Sequence, residues 1–353
     1  MIQCWQKQGQ IYKTRAQCPT VLKIIENDRE IWRIFFADRN ENNQAYIRYV
    51  DVSPDSPEEI LYEELSPVLK PGPPGSFDHF GQMATSVIEE MVCGGRGETE
   101  AYPIYYLFYI GWGQRLDVPY HNSIGLAYSY DGKTFHKSYP GPIIGTSKLD
   151  PFFTGTACVV RGQNDPTLFW CYYLSSNGWE SDGTKLEPTY RIKEAISGGL
   201  TRPEGMGSWE CKPDTEGVVI DFNSPDEGGI CNATVFYDQN QIKHMWYCYR
   251  KKFDYRTNRA NTYRIGYATG YPAVLDGIKI KEKAKWVRQD NLVDLPLSES
   301  GWDEEMLAYP HVIEHKGKLY MFYNGNGFGT TGFGYATLKL DSGVGAKTAA
   351  VIC

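Results

Sequence analysis

The sequence lacks both an excess of basic residues and any apolar run close to the roughly 20 residues that a membrane-spanning helix needs. Its 353 residues include 36 Lys and Arg against 43 Asp and Glu, which gives a net charge of −7. Nucleic acids and anionic membranes bind basic surfaces, so we predict no nucleic-acid partner and no membrane span. The first residues, MIQCWQKQGQIYK, lack the apolar centre of a signal peptide. We therefore expect a cytoplasmic protein.

The nine cysteines include no CxxC motif and no Cys/His spacing typical of a zinc site. Disulfides are rare in the cytoplasm, and a reduced cysteine in a strand acts as a small apolar residue. We therefore expect reduced thiols, no metal-binding motif and no cofactor. A structural Ca²⁺ held in a channel by carboxylates and water would leave no recognisable spacing, so that alternative stays open.

The chain is instead rich in aromatic residues, with 26 Tyr, 15 Phe and 9 Trp, and many of them lie in repeated strands. Residues 318–336, KLYMFYNGNGFGTTGFGYA, contain two aromatic runs around a Gly/Asn/Thr turn, which is typical of a β-hairpin. The second run recurs five times, aligned on Ile47, Ile124, Ile192, Ile265 and Phe333. Another predicted strand precedes each hairpin and contains an aligned valine, at Val21, Val87, Val159, Val235 and Val312.

These repeats predict an all-β fold, a five-bladed β-propeller that forms a single domain. A unit of three or four strands cannot bury both faces alone and is stable only when it stacks on its neighbours. Radial stacking also leaves only short sheet edges exposed. The alternative is a pair of β-sandwiches with unrelated aromatic strands. The predicted blades span approximately residues 15–66, 78–140, 150–212, 226–290 and 303–341.

The two ends of the chain carry different signals. The fifth blade has no fourth strand of its own, and residues 2–7 alternate between apolar and polar side chains. We predict that this N-terminal segment closes the last blade, with a loose N-terminus as the alternative. The propeller then covers residues 1–341, and residues 342–353 are a C-terminal extension. The long connections 176–188 and 250–261 have equivalent positions, so they would rim one end of the channel.

Acidic residues recur at one register before the first strands of the blades. In a ring, these side chains would converge on the mouth of the channel. Glycosidic bond cleavage needs one carboxylic acid as proton donor and one carboxylate as base or nucleophile. The alternative is that Asp and Glu occur here as turn formers. Nine residues before the aligned valine lie Asp78, Asp150, Asp226 and Asp303, and one residue later lie Glu227 and Glu304.

Polar and aromatic side chains follow the second strands and would lie on the same face. Trp rings stack on sugars, and Asn and Arg donate hydrogen bonds to hydroxyl groups. The predicted substrate-binding residues are Arg39, Trp112, Arg115, His121, Trp179, Asn232, Arg250, Asn324 and Asn326. A phosphate site is the alternative use of the cations, because a guanidinium fork matches phosphate oxygens. That set comprises Arg39, Arg115, Arg250 and Lys251.

The hairpin motifs and the turn SYDGKTF at 129–135 resemble the five-bladed propellers of the arabinanase, levansucrase and invertase superfamily, of the glycoside hydrolase family 43, 32 and 130 type. The similarity covers residues 20–338. It is greatest to glycosidase-like members associated with bacterial surface-polysaccharide pathways and to mannoside phosphorylases. By order along the chain, the resemblance implies Asp78 as base, Asp150 as orienting acid and Glu227 as general acid. Glu304 and Glu305 are alternatives for the last role.

The sequence departs from that superfamily at one set of positions. Its hydrolases hold their acids about three residues before the aligned valine, where this chain has Cys18, Ala84, Thr156, Asn232 and Tyr309. The leading hypothesis is a glycoside-active enzyme that acts on a small glycan or activated sugar in surface-polysaccharide metabolism. One alternative is a glycoside phosphorylase that uses inorganic phosphate. Another is a non-catalytic propeller that binds a sugar or nucleotide sugar.

Overall fold

The structure, a computed structural model, describes residues 3–93, 101–163, 165–199, 209–211, 217–271, 274–276, 279–282 and 285–340. Nearly all regular structure in these residues is β-strand, and the helical segments there are two single turns, Asp290–Leu292 and Asn326–Gly329. The all-β prediction is therefore confirmed. The predicted extension 342–353 and the first residue of the predicted closing segment lie outside the described residues.

The strands form antiparallel units that follow one another along the chain. Two short strands come first, β1 (Gln3–Cys4) and β2 (Gln6–Tyr12). The first unit consists of β3 (Gln17–Glu26), β4 (Arg29–Arg39), β5 (Ala45–Ser53) and β6 (Ser56–Glu64), each paired with the next. The turn between β3 and β4 is tight because Asn27 and Asp28 adopt φ angles of 50° and 60°.

The second and third units repeat this meander. The second consists of β7 (Gly81–Cys93), β8 (Ala101–Gly113), β9 (His121–Ser129) and β10 (His136–Lys137). The third consists of β11 (Thr154–Arg161), β12 (Phe169–Ser181) and β13 (Leu186–Ser197). Two short strands, β14 (Glu210–Cys211) and β15 (Val218–Ile220), both pair with β13 and complete its outer edge.

The fourth and fifth units complete the described chain. The fourth consists of β16 (Glu227–Tyr237), β17 (Lys243–Lys251), β18 (Arg264–Tyr271) and β21 (Lys285–Arg288). A separate hairpin of β19 (Val274–Asp276) and β20 (Lys279–Glu282) precedes β21, and β22 (Val293–Asp294) follows it. The fifth unit consists of β23 (Ala308–His315), β24 (Lys318–Asn324) and β25 (Phe333–Lys339).

An N-terminal strand pairs with the fifth unit, but it begins later than predicted. The pairing strand is β2, in register from Gln6 opposite Thr337 to Tyr12 opposite Phe333. The first part of the predicted segment is used elsewhere, because β1 pairs in parallel with β22. The side chain that fixes β2 against the core is Ile11, which is 4% exposed.

The apolar core lies between successive units, because the strands are buried on both faces. On β4, Trp32 and Phe36 belong to a cluster with Phe322 of the fifth unit, whereas Phe35 lies in a cluster with Leu107 of the second unit. Alternate residues of a strand point to opposite faces of the sheet, so one strand contributes to two clusters. Similar clusters join the second unit to the third, the third to the fourth and the fourth to the fifth.

The first strands of the units lie side by side. β3 contacts β7, β7 contacts β11, β11 contacts β16, β16 contacts β23, and β23 contacts β3. Hydroxyl groups bridge these neighbours: the Val159 amide donates to Ser86 Oγ at 3.2 Å, and the Val312 amide donates to Thr234 Oγ1 at 3.1 Å. The arrangement brings the starting ends of all five strands to one end of the molecule.

His311 on β23 gives the fold a specific pH dependence. Burial lowers its pKa to about 4, although a hydrogen bond with the Val21 backbone opposes this shift, whereas an unfolded His titrates near ~6.5. The unfolded chain therefore binds one more proton between these values, so stability is lost as the pH falls from ~6.5 toward ~4. At about pH 5 the loss is about 2 kcal/mol.

The free energy of unfolding of the wild type should fall between about pH 7.5 and about pH 5. In His311→Gln we expect this fall to be smaller by about 2 kcal/mol, because the variant has no imidazole to protonate. Urea denaturation of both proteins at the two pH values measures it. Equal losses in the two proteins would show that His311 is not responsible.

Candidate functional site

A pocket of about 700 Å³ opens where the first strands of the units begin. Its wall contains Cys18 of β3, Met83 of β7, Thr156 of β11, Cys231 of β16 and Tyr309 of β23, so all five units contribute. The volume is within the range of about 300–1,000 Å³ that is usual for small-molecule sites. This pocket is the candidate functional site.

Each first strand has a β-bulge at its pocket end. The pairing with the second strand shifts register at the same point in all five units. In four units the residue at this point has a positive φ: 54° at Cys18, 35° at Thr156, 56° at Asn232 and 56° at Tyr309. Non-glycine residues rarely adopt such angles, and bulges re-aim side chains next to sites. These positions lie three residues before the aligned valines, and Cys18, Thr156 and Tyr309 line the pocket.

Much of the pocket wall is aromatic. The rings of Tyr120 and Phe153 meet at 5.6 Å, and those of Tyr263 and Phe328 meet edge to face at 6.1 Å. Trp112, a predicted substrate-binding residue, also lines the pocket. An aromatic wall with a few polar groups is the usual composition of a small-ligand site.

The charged groups on the pocket wall are mostly positive, in contrast to the net charge of −7. The lining residues of the described chain include three arginines, Arg15, Arg39 and Arg256, and one carboxylate, Glu41. Guanidinium groups stay protonated at any physiological pH. The pocket therefore has a local excess of positive charge.

Arg256 is held by a buried carboxylate behind the wall. Its Nη2 donates to the Tyr255 hydroxyl at 2.8 Å, its Nε lies 3.3 Å from Glu187 Oε1, and Tyr255 donates to the same carboxylate. Glu187 is 2% exposed. Burial raises the pKa of Glu187, but the hydrogen bond from Tyr255 and the charge of Arg256 outweigh it and lower the pKa. Glu187 therefore stays ionised and is a counterion that Arg256 shares with Lys185, whose Nζ also lies 3.3 Å from Oε1.

Arg250, another predicted substrate-binding residue, does not line the pocket. It is 1% exposed and donates to the Pro188 and Lys251 carbonyls, each at 2.8 Å, and to the Tyr190 hydroxyl at 3.2 Å. Its guanidinium carbon lies 3.7 Å from the centre of the Tyr255 ring. Arg250 therefore fastens the predicted rim connection 250–261 to the neighbouring unit from behind the pocket wall.

The predicted catalytic residues Asp78 and Asp150 are buried outside the pocket. Asp78 is 0% exposed and pairs with Lys137 at 2.5 Å, and it accepts a hydrogen bond from Gln82 at 2.7 Å. Asp150 is 1% exposed, lies 3.2 Å from Lys193 and accepts a hydrogen bond from Ser175 at 2.6 Å. Both carboxylates therefore already have counterions within their own units.

The third predicted catalytic residue, Glu227, is also paired. Arg288 contacts its carboxylate with both terminal nitrogens, at 2.8 and 3.2 Å.

The aspartates nine residues before the aligned valines share a further contact. Asp303, the last of them, lies 2.6 Å from Lys7. The Asp side chains of this register also accept hydrogen bonds from tyrosines on the second strands: Tyr109 to Asp78, Tyr173 to Asp150 and Tyr323 to Asp303. In three of the four units the Asp of this register thus makes a repeated buried contact, whereas Asp226 is exposed.

The other predicted binding residues have varied surroundings. The Asn324 side chain accepts a hydrogen bond from the Cys18 amide at 2.8 Å and so holds the first bulge. Asn326 accepts from the Glu305 amide at 2.8 Å, and Asn232 lies 3.3 Å from the Pro310 carbonyl. The remaining three, Arg115, His121 and Trp179, also lie outside the pocket wall. Trp179 packs behind Tyr120, Arg115 lines a shallow neighbouring groove, and His121 Nε2 lies 3.3 Å from Thr146 Oγ1.

Several pocket residues were not predicted from the sequence. Arg15 lies in the turn between β2 and β3, and Tyr255 and Arg256 lie in the connection between β17 and β18. Neither segment has a repeated pattern that would single out one residue. The sequence did indicate the positions three residues before the aligned valines, because the superfamily that the chain resembles has its acids there. Three residues at these positions, Cys18, Thr156 and Tyr309, line the pocket.

Among the described residues, no three His, Cys, Asp or Glu side chains are grouped so that they could hold a metal ion. The structural Ca²⁺ stays a prediction. No helix in that part of the chain is long and apolar enough to cross a membrane.

Solved structures that resemble this fold are glycoside hydrolases of propeller-type folds. One, described as a glycoside hydrolase, has a TM-score of 0.64 and 16% identity, with 99% of this chain and 95% of that protein covered. The catalytic domain of a Coprinopsis cinerea GH62 α-L-arabinofuranosidase has a TM-score of 0.58 and 9% identity, with 98% and 99% covered. At such identities the likeness concerns the fold.

Two proteins of Mycobacterium tuberculosis are related to this chain in sequence. They are "Uncharacterized protein MT1551" of strain CDC 1551 / Oshkosh and "Uncharacterized protein Rv1502" of strain ATCC 25618 / H37Rv. Each is 30% identical over 344 residues, which cover 95% of this chain and 99% of the relative. The chain belongs to the same family as these two proteins. No family model matches it.

The surroundings of Asp150 predict a structural effect of its substitution. In Asp150→Asn, the buried Lys193 would lose its counterion, so we expect the free energy of unfolding to fall by about 3–5 kcal/mol. The exposed Asp226→Asn is the matched control and should change stability by less than about 0.5 kcal/mol. Denaturant unfolding measures both. An Asp150→Asn protein with wild-type stability and no ligand turnover would instead support the catalytic prediction.

Proposed function

We propose that this protein is a five-bladed β-propeller of the glycosidase type that acts on a small glycan or activated sugar bound in the pocket. The cyclic contacts among β3, β7, β11, β16 and β23 support five blades, as does the apolar cluster between each pair of successive units. The pairing of β2 with β25 supports closure of the last blade by an N-terminal strand. The resemblance to proteins of surface-polysaccharide pathways supports a role in that metabolism.

The composition of the pocket wall is the observation that carries this proposal. A sugar has an apolar ring face and a rim of hydroxyl groups, so a site for it combines aromatic rings with hydrogen-bonding groups. The pocket combines Tyr120 and Phe328 with Gln114 and Asn122. Its volume of about 700 Å³ is sufficient for a small glycan.

The pocket supports hydrolysis by a carboxylate pair less well. Water-dependent glycosidases mostly use two carboxylates on opposite sides of the bond, and Glu41 is the one carboxylate among the described lining residues. The roles of Asp78, Asp150 and Glu227 stay a prediction, and their ion pairs argue against it.

Glycoside phosphorolysis is the second candidate function. It is favoured by the charged residues of the described pocket wall, which are one carboxylate and three arginines. A phosphate oxygen bonds to the anomeric carbon while the glycosidic C–O bond breaks, and one acid gives its proton to the leaving oxygen. Because phosphate is the nucleophile, no carboxylate base is needed. Glu41 would supply the proton, and the arginines would bind phosphate.

Absence of turnover would leave the third alternative, a propeller that binds a sugar or nucleotide sugar without catalysis.

Binding tests the proposed function directly. We expect the wild type to bind a compound from at least one of four classes, as measured by calorimetry. The classes are neutral disaccharides, uronates, sugar phosphates and nucleotide sugars. Phe328→Ala should weaken this binding about fivefold or more, because an aromatic contact contributes about 1 kcal/mol beyond its buried area. Tyr102→Ala, a 39% exposed tyrosine outside the pocket wall, is the control. No binding from any class, or equal effects of the two variants, would reject the pocket as a sugar site.

Product analysis separates the two reactions. If the protein is a phosphorylase, a disaccharide should yield a sugar phosphate only when inorganic phosphate is present. Glu41→Gln should then lose turnover and keep substrate binding, because it removes the proton donor and leaves the other pocket contacts. Release of free sugar at the same rate without phosphate would reject phosphorolysis.

A further inference from the structure

Two arginines on adjacent segments share one part of the pocket wall. Arg39 is at the end of β4, and Arg15 is in the turn that leads into β3. Arg39 is held by neutral groups, since its Nε donates to Gln17 Oε1 and its Nη1 to Asn43 Oδ1, both at 2.7 Å. Its guanidinium carbon also lies 5.2 Å from the centre of the Trp112 ring. These contacts fix the direction of the guanidinium group without neutralising its charge.

Within the described ranges, neither guanidinium has a carboxylate oxygen within 4 Å. Some buried or half-buried arginines of the described chain have carboxylate partners: Arg33 pairs with Asp51 at 2.8 Å, and Arg48 pairs with Glu63 at 2.6 Å. Others donate to main-chain carbonyls instead, as Arg250 does to Pro188 and Arg264 does to Tyr263. Glu41 lines the same pocket but pairs with neither of the two arginines. In the part of the chain that the structure describes, Arg15 and Arg39 therefore have neither of these kinds of partner at their guanidinium groups, and both line the pocket.

The two charges also act on one another. Burial lowers the pKa of Arg39, and the neighbouring Arg15 lowers it further, while ionisation of nearby tyrosines and of Cys18 would have the opposite effect. These phenols and the thiol are neutral at neutral pH, so they do not supply the missing negative charge. A bound anion would relieve the repulsion between the two guanidinium groups.

Arg256 is different, although it lines the same pocket. Its charge is partly compensated by Glu187, whose Oε1 lies 3.3 Å from Arg256 Nε and also 3.3 Å from Lys185 Nζ. Arg250 is capped by main-chain carbonyls behind the wall. An anionic ligand would therefore find its uncompensated partners at Arg15 and Arg39 rather than around the whole pocket.

We propose that the pocket takes a carbohydrate ligand with an anionic group, a phosphate or a carboxylate, and that Arg15 and Arg39 bind this group. The proposal rests on the proposed carbohydrate function and adds the class of ligand. Guanidinium groups match both anions, because their parallel N–H donors meet two oxygens at once. The sugar ring would then contact the aromatic part of the wall.

Two sources of the anion have the same chemistry. In one, inorganic phosphate enters as a co-substrate. In the other, the charge is part of the sugar, as in a hexose phosphate or a hexuronate. Calorimetry with inorganic phosphate, glucose 1-phosphate, glucuronate and glucose separates them, because a co-substrate site binds phosphate alone and a charged-sugar site binds the sugar forms more tightly.

We expect Arg15→Gln and Arg39→Gln each to weaken binding of the preferred anion about tenfold or more, as for loss of a charged hydrogen bond. Arg15 is exposed, so its substitution is not expected to affect folding, and this variant keeps the test valid if Arg39→Gln is unstable. Arg29→Gln is the control, because this exposed arginine lies at the start of β4, at the opposite end of the strand from Arg39. Arg15→Lys and Arg39→Lys should restore part of the affinity. Affinity should also fall as salt is raised.

Two results would overturn the inference. One is binding of neutral sugars without preference for any anionic compound, which leaves the proposed function standing. The other is anion binding that changes equally in Arg15→Gln, Arg39→Gln and the control Arg29→Gln. Failure of every sugar, charged or neutral, would instead reject the proposed function itself.

Discussion

The structure depends on the burial of both faces of each β unit. A strand such as β4 directs Trp32 and Phe36 to one side and Phe35 to the other. Fully burying one such side chain contributes about 1.5–3 kcal/mol relative to leaving it exposed, so an isolated unit would lose too much to be stable. Stacking the units satisfies both faces and aligns the first strands side by side. The pocket at their starting ends is a consequence of this packing.

The same packing holds residues of the pocket in unfavourable backbone conformations. A non-glycine residue with positive φ costs about 1–3 kcal/mol, and four first strands have such a residue at the bulge. Neighbouring side chains compensate: Asn324 accepts from the Cys18 amide, and Thr156 Oγ1 accepts from the Asn232 amide at 3.2 Å. The bulges at Cys18 and Asn232 are therefore held by hydrogen bonds between neighbouring units.

The sequence predicted the fold more clearly than the site, because the burial of strands repeats along the chain and the contacts of the site do not. Two-sided burial imposes a repeated apolar pattern, so the five units and their order were visible as aligned valines and aromatic runs. The acidic register was equally regular, but a carboxylate before a strand can face a ligand or a cation on another strand. The sequence does not show which partner is present; in the structure, Asp78 contacts Lys137 and Asp150 contacts Lys193. Arg15 lies in a short turn without a repeat. The connection 250–261 was expected to rim the channel, but nothing in it singled out Arg256.

The distribution of charge follows from these contacts. The chain has a net charge of −7, yet buried carboxylates such as Asp78 and Asp150 are neutralised within their units by Lys137 and Lys193. At the pocket the balance is reversed, and Arg39 is oriented by amide and aromatic groups that leave its charge intact. A cation already fixed in position loses little conformational entropy on binding an anion. Most charged side chains that line the pocket are thus opposite in sign to the net charge of the protein, which is the physical basis for proposing an anionic ligand.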